Sequence, residues 1–190
     1  MKLNVGVLSL QGDFAEHLAI LSELGIQGIQ VRSKADLEKA DALIIPGGES
    51  TTILKLLDLY ELRDPLAKRI EAGMAVFGTC AGAIVLADKV SDGEPPVGAL
   101  NISLLRNAYG RQIESFETSI EVKGLDEPIR AVFIRAPVIQ ETGPRVEILA
   151  EYEGHPVLVR QGQLLASTFH PELAGETRIH SMFLEMASSL

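Results

Sequence analysis

Cysteine is almost missing from this chain: Cys80 stands alone among 190 residues. An internal disulfide is therefore excluded, and one Cys with four scattered His residues offers no zinc-ligand spacing, so no metal is predicted. Tryptophan is absent and aromatics make up 5%, which leaves Leu, Ile, Val and Ala to build the core. No apolar run approaches the roughly 18–20 residues of a membrane helix. Basic residues are outnumbered, and the formal net charge of −9 argues against a phosphate-backbone partner. Neither Gly-x-Gly-x-x-Gly nor a Walker loop occurs. Met1-Lys2-Leu3-Asn4-Val5 leads into a strand-like pattern, without the apolar stretch and cleavage site of a signal peptide. These absences predict a cytoplasmic protein that binds neither nucleic acid nor membrane. What is present, 46% hydrophobic and 23% charged residues, is a globular composition, and the length predicts one domain over residues 1–190.

The first half alternates short apolar runs with helical patterns. Strands are predicted at Val5–Leu10, Gly28–Val31, Ala42–Ile45 and Met74–Phe77. Helices are predicted from Phe14 to Leu24, from a Ser50 or Thr51 cap to Tyr60, and from Asp64-Pro65 to Ala72. A short apolar helix follows Cys80. The second half is richer in strand patterns: Ser119–Val122, Ala131–Ile134, Glu147–Tyr152, Val157–Arg160 and Leu164–Thr168, closed by a helix from Thr177 to Met186. Two-sided apolar strands alternating with helices require a parallel sheet covered on both faces. The expected fold is a three-layer α/β/α flavodoxin-like sandwich, its sheet mostly parallel, with antiparallel hairpins added in the second half. Ligands of such folds bind at the C-terminal strand ends, where Gln11-Gly12, Gly47-Gly48-Glu49 and Cys80 fall.

Cys80 lies in Gly78-x-Cys80-x-Gly82, between a buried strand and a helix. This is a nucleophile elbow with Cys in place of Ser. The helix N-terminus favours a thiolate, and the Ala81 amide can point at a developing oxyanion. A thiol nucleophile needs a base. In Ser167-Thr168-Phe169-His170-Pro171-Glu172, residues two apart in an extended segment share a side, so Glu172 can hold His170. The other histidines lack such a setting: His155 lies in a turn, His180 on the last predicted helix without a carboxylate partner. His17, beside Glu16 on the first helix, reads as a surface or interface residue. Gly47 and Gly48 can turn backbone N–H groups outward, as an oxyanion hole requires. Arg106 and Arg135 are each able to bind a carboxylate bidentately.

Together these residues resemble a class I glutamine amidotransferase domain, with a Cys-His-Glu triad. The match is closer to one family, the glutaminase subunit of pyridoxal 5′-phosphate synthase. It is carried by Gly6-Val7-Leu8-Ser9-Leu10-Gln11-Gly12, Glu16-His17, Pro46-Gly47-Gly48-Glu49-Ser50-Thr51-Thr52 and Phe77-Gly78-Thr79-Cys80-Ala81-Gly82. It continues through Arg106-Asn107, Tyr109-Gly110-Arg111-Gln112, Ser115-Phe116-Glu117, Phe133-Ile134-Arg135-Ala136-Pro137 and Ser167-Thr168-Phe169-His170-Pro171-Glu172-Leu173. The resemblance implies that Cys80 attacks the glutamine carboxamide, His170 moves protons and Glu172 orients it. It implies glutamine binding by Gly48, Glu49, Ser50, Arg106, Ile134 and Arg135, and oxyanion stabilisation by the Gly48 and Ala81 amides. It also implies no cofactor, and ammonia transfer to a synthase subunit with a dodecameric core. Gln11, Gly12, Glu16 and His17 are the expected docking and activation face. The rival readings are another α/β cysteine enzyme, a non-catalytic flavodoxin-like module, and a glutaminase serving a different pathway.

Overall fold

The computed structural model describes residues 3–106 and 115–189. The first half runs β1 (Val5–Leu8), α1 (Phe14–Glu23), β2 (Ile29–Val31), α2 (Lys34–Lys39), β3 (Ala42–Ile45), α3 (Ser50–Leu59), α4 (Arg63–Glu71), β4 (Ala75–Thr79), α5 (Ala81–Leu86). The second runs β5 (Ala87–Val90), β6 (Leu100–Leu105), β7 (Ser115–Ile120), β8 (Ile129–Ile134), β9 (Val138–Thr142), β10 (Glu147–Tyr152), β11 (His155–Gln161), β12 (Leu164–Ser167), α6 (Arg178–Ser188).

Seven strands form the central sheet, in the order β10-β11-β12-β4-β3-β1-β2. Only β11 opposes its neighbours; the pairs from β12 to β2 are all parallel. Side chains alternate between two faces along each strand, and both faces are apolar. On β3, Leu43 and Ile45 join one core cluster while Ala42 and Ile44 join the other. Val76 and Phe77 divide in the same way on β4. The first cluster lies under α2, α3, α4 and α5, through Leu37, Ile53, Leu54, Leu66 and Val85. The second lies under α1, α6 and β8, through Leu21, Ile179, Phe183 and Phe133. Each fully buried Leu, Ile or Phe contributes about 1.5–3 kcal/mol. The three-layer mostly parallel architecture expected from the sequence is thus the one observed.

Several local expectations change. β1 stops at Leu8: the Ser9 N–H makes the last bond to the neighbouring strand, to Val31 O (2.9 Å), and the Ser9 hydroxyl folds back to donate to Val7 O (2.9 Å). Helix α3 is capped by Glu49, not by Ser50 or Thr51; the Glu49 carboxylate accepts from the amides of Thr51 (3.0 Å) and Thr52 (2.7 Å). Ser50 is instead the buried first residue of that helix. Among the second-half strands, β10 and β11 extend the central sheet. Among the described residues, β7 and β8 pair only with each other, and β5, β6 and β9 form a separate three-stranded sheet that covers the α5 side. Helix α2 was also unexpected, although Ser33 caps it by accepting from the Asp36 amide (3.2 Å).

Candidate active site

The chain enters the site from β4, at the centre of the sheet. Cys80 has φ 48° and ψ −101°, a conformation costing a non-glycine residue about 1–3 kcal/mol. Its amide donates to Ser167 O on β12 (2.8 Å), and its carbonyl accepts the first turn of α5 from Ala83 (3.1 Å) and Ile84 (3.3 Å). The flanking glycines make the turn possible by close approach. A Cβ on Gly78 would lie 2.6 Å from the Gly82 carbonyl, and one on Gly82 would lie 2.0 Å from Ile45 O. The elbow therefore lifts the thiol to the C-terminal edge of the sheet, where it remains 7% exposed.

His170 arrives from β12, the strand next to β4. Its amide donates to Val132 O (2.8 Å), and the Ser167 hydroxyl ties down Phe169 O (2.8 Å). Its Nδ1 lies 2.7 Å from Glu172 Oε1 and 3.4 Å from Asp13 Oδ2. The expected His170–Glu172 pairing is present, but extended alternation does not produce it. Pro171 adopts φ −64°, ψ −32°, and Glu172 opens a 3-10 turn to Ala174 that folds its carboxylate back beneath the ring. Burial opposes charge on His170, yet hydrogen bonds and charge from Cys80 and Glu172 outweigh it and raise the imidazolium to about 10. Burial also pushes the Glu172 carboxyl up, against the hydrogen bond and charge of His170. With Nδ1 donating to Glu172, Nε2 is free for the thiol side. The arrangement has the connected order that a nucleophile, a base and an orienting acid require.

Around the thiol lies a cleft of about 490 Å³, within the range of small-molecule sites. Its lining brings together Cys80, Ala81 and His170 with Gln11, Gly48, Glu49, Ser50, Arg106, Ile134 and Arg135. Arg106 bridges to Glu49 Oε1 (3.4 Å) and Thr51 Oγ1 (3.3 Å), while Arg135 is exposed at φ 42°. Partial burial opposes ionisation of Glu49, but the Thr51 and Thr52 donors prevail and lower it to about 2. A fixed anion and two guanidinium groups thus share the cleft with the thiol. The Gln11-Gly12 turn closes its edge: Gln11 Oε1 accepts from the Glu49 amide (2.9 Å), and the Asp13 amide donates to Gly47 O (3.1 Å).

The expected residues do not all meet. Asn107, Ala108, Tyr109, Gly110, Arg111 and Gln112 lie outside the described residues. Glu16 is exposed on α1. His17 is not: it is fully buried, contrary to a surface or interface role, because Phe14, His17, Leu18 and Leu21 share the inward helical stripe. Asp13 and Leu173 also line the cleft, and neither is among the expected site residues. The stripe spacing signalled His17; nothing local signalled Asp13, whose partner His170 comes from the other end of the chain. Asp13, His170 and Glu172 hold ligand atoms within 4.8 Å of one another. A metal at Nδ1 would have to displace the proton that the 2.7 Å contact with Glu172 holds. A larger groove of about 960 Å³, between Ser119–Pro128 and Ile148–Glu153, contains neither cysteine nor histidine. Among the described residues, no helix is long and apolar enough to cross a membrane.

Known proteins resemble the whole chain. The model of the SNO glutamine amidotransferase family matches residues 7–189. Pyridoxal 5′-phosphate synthase subunit PdxT of Mycobacteroides abscessus is 49% identical over 185 residues, covering 96% of each protein. The PdxT of Streptomyces coelicolor is 50% identical over 186 residues, covering 96% of this chain and 92% of that one. A crystal structure of a glutamine amidotransferase superposes with a TM-score of 0.93 at 53% identity, over 97% of this chain and 98% of the other. A glutamine amidotransferase from Thermotoga maritima, at 15% identity and a TM-score of 0.65 over 100% of this chain and 86% of that one, shares the fold.

Proposed function

The chain belongs to the SNO glutamine amidotransferase family, and from that premise we propose that it is the glutaminase subunit of a pyridoxal 5′-phosphate synthase, using Cys80, His170 and Glu172. One observation carries the site assignment: the elbow thiol and a histidine whose Nδ1 lies 2.7 Å from a buried carboxylate line a single cleft. The Cys80 sulfur attacks the side-chain carboxamide carbon of L-glutamine. As the C–N bond breaks, the His170 imidazolium gives its proton to the departing nitrogen, releasing ammonia and leaving a glutamyl thioester. His170, now neutral, takes a proton from water; the hydroxide adds to the thioester, the C–S bond breaks, and glutamate leaves. Thiol, imidazole and water suffice for these steps, so no cofactor is required. Glu172 keeps Nδ1 as the donor throughout.

The Gly47 carbonyl is held by the Asp13 amide, so in this trans peptide the Gly48 N–H faces away from the Gln11 turn. With the Ala81 amide it is our candidate oxyanion donor. Glu49 suits the α-ammonium of glutamine by its charge, and Arg106 and Arg135 suit the α-carboxylate. Gly48, Ser50 and Ile134 shape the wall between them. The ammonia passes to a synthase subunit, with a dodecameric core as the assembly we favour. Gln11, Gly12 and Glu16 form the docking side, where a partner touching the Gln11 turn acts directly on the Gly47–Gly48 peptide. The test is glutamate release from glutamine, with and without the synthase subunit. Wild type should release glutamate in the complex, and Cys80→Ala should lose at least about 10³-fold of it. No release by wild type in the complex refutes the activity, and equal rates with and without synthase refute activation by docking.

A further inference from the structure

Arg106 lines the cleft, yet part of what surrounds its side chain comes from a segment outside it, residues 91–95 between β5 and β6. Among the described residues that line the cleft, none belongs to this segment, and the proposed chemistry does not use it. The segment is fastened at both ends. The Ser91 amide donates to Leu104 O on β6 (2.9 Å), and the Ser91 hydroxyl accepts from the Arg106 amide (3.2 Å). Further on, Lys55 of α3 pairs with Glu94 (3.7 Å), and Pro95 O accepts from Arg63 of α4 (2.5 Å). The Val97 amide then donates to Val85 O on α5 (2.8 Å). These ties set the path of Asp92 and Gly93.

The Arg106 side chain, 19% exposed, lies between this segment and the start of α3. Nη2 donates to Glu49 Oε1 (3.4 Å), Nη1 donates to Thr51 Oγ1 (3.3 Å), and Nε lies 3.9 Å from Asp92 Oδ1. All three contacts are long, so hydrogen bonds alone do not fix the group. Asp92 is 69% exposed, so water screens its charge and its pull is small. The tight constraint is steric. Gly93 has φ 96°, and a Cβ built on it would lie 2.2 Å from Arg106 Nη1 and 3.5 Å from Cζ. Ordinary contact begins near 3.4 Å, so a side chain at this position drives Nη1 back by about 1.2 Å. Arg106 is the partner that yields, because its guanidinium ends a flexible side chain while the segment is tied on both sides.

We propose that Gly93 is a positioning residue for glutamine binding, its bare Cα keeping the Arg106 guanidinium in place beside Glu49 for the substrate α-carboxylate. The inference rests on the proposed glutaminase reading, with Arg106 as a carboxylate contact. Gly93 touches neither the thiol nor the cleft, so it acts only through Arg106. A guanidinium reads a carboxylate through a planar fork, which a displacement of this size misaligns. The α-carboxylate is remote from the amide that breaks. Its loss therefore weakens ground state and transition state alike, which raises KM and spares kcat.

The test measures kcat and KM for glutamine in the complex with the synthase subunit, for wild type, Gly93→Ala and Gly98→Ala. Gly98 is the control for backbone strain: its φ is also positive, at 77°, but a Cβ there meets nothing within 4 Å. We expect Gly93→Ala to raise KM tenfold or more with kcat within threefold, and Gly98→Ala to keep KM within twofold of wild type. Arg106→Ala should itself raise KM tenfold or more. Adding Gly93→Ala to it should raise KM less than twofold further, because both changes act on one contact. An unchanged KM in Gly93→Ala or in Arg106→Ala overturns the proposal. So does a loss confined to kcat, an equal KM rise in Gly98→Ala, or a full tenfold rise added to Arg106→Ala. If Gly93→Ala does not fold, Gly93→Asn takes its place, since Asn adopts positive φ more readily and carries the same Cβ. The same KM rise is expected of it, and an unchanged KM there overturns the proposal. A wild type that releases no glutamate overturns the glutaminase reading and this inference with it. An active wild type with an indifferent Gly93 variant overturns the positioning role alone.

Discussion

Gly47→Ala isolates the placement of the base from the identity of any reacting group. A Cβ built on Gly47 would lie 2.3 Å from His170 Cε1, 2.9 Å from Nδ1 and 3.1 Å from Asp13 Oδ2. Ordinary contact begins near 3.4 Å, so the ring has to retreat by about 1.1 Å. The Gly47 backbone is outside the left-handed region, so alanine is admitted without conformational strain. What gives way is the side chain of His170, whose backbone is pinned through Val132 and whose Nδ1 is tied to Glu172. A misplacement of about 1 Å can cost about a hundredfold in rate, or about 2.7 kcal/mol of transition-state stabilisation. Overpacking should cost about 1–3 kcal/mol of stability. The assay is glutaminase kcat in the synthase complex, paired with urea unfolding of the chain alone. A folded Gly47→Ala protein with kcat within threefold of wild type would refute the claim that ring placement limits the chemistry.

Two further outcomes follow from the ionisation of buried and capping groups. A buried histidine held down to about 4 binds fewer protons folded than unfolded once the pH drops below 6.5. The stability from neutral His180 is therefore whole above pH 6.5 and lost as pH falls through 4, a difference of about 3 kcal/mol at most. His180→Gln should flatten the fall of the unfolding midpoint between pH 6.5 and 4; an unchanged slope refutes the assignment. Glu49→Ala removes the α3 cap and the anion beside Arg106, so it should cost about 1 kcal/mol in urea unfolding. It should also raise KM for glutamine tenfold or more, and an unchanged KM removes Glu49 from the binding set.

The frame of the candidate site was legible because its signals are local. Gly78, Cys80 and Gly82 write the elbow within five positions, and His170-Pro171-Glu172 writes the histidine–carboxylate pair within three. Even there the reason differed: a turn at Pro171, not strand alternation, brings Glu172 back to His170. The small sheet of β5, β6 and β9 was missed although Leu100, Ile102 and Leu104 alternate, because the flanking strands Ala87–Val90 and Val138–Thr142 lack a regular pattern. The contacts of Asp13 with His170 and of His17 with His180 escape sequence reading for a different reason. Each joins residues more than 150 positions apart, and only the strand order β12-β4-β3-β1 brings them together.

That strand order also governs timing. The last strand to be synthesised, β12, inserts beside β4, pins the Cys80 amide through Ser167 O and delivers His170. A nascent chain that has emerged only through β11 carries the thiol without its base and with its elbow untied. Chains that end before β12 should therefore be silent toward glutamine, so that amide nitrogen is not spent before the subunit is whole.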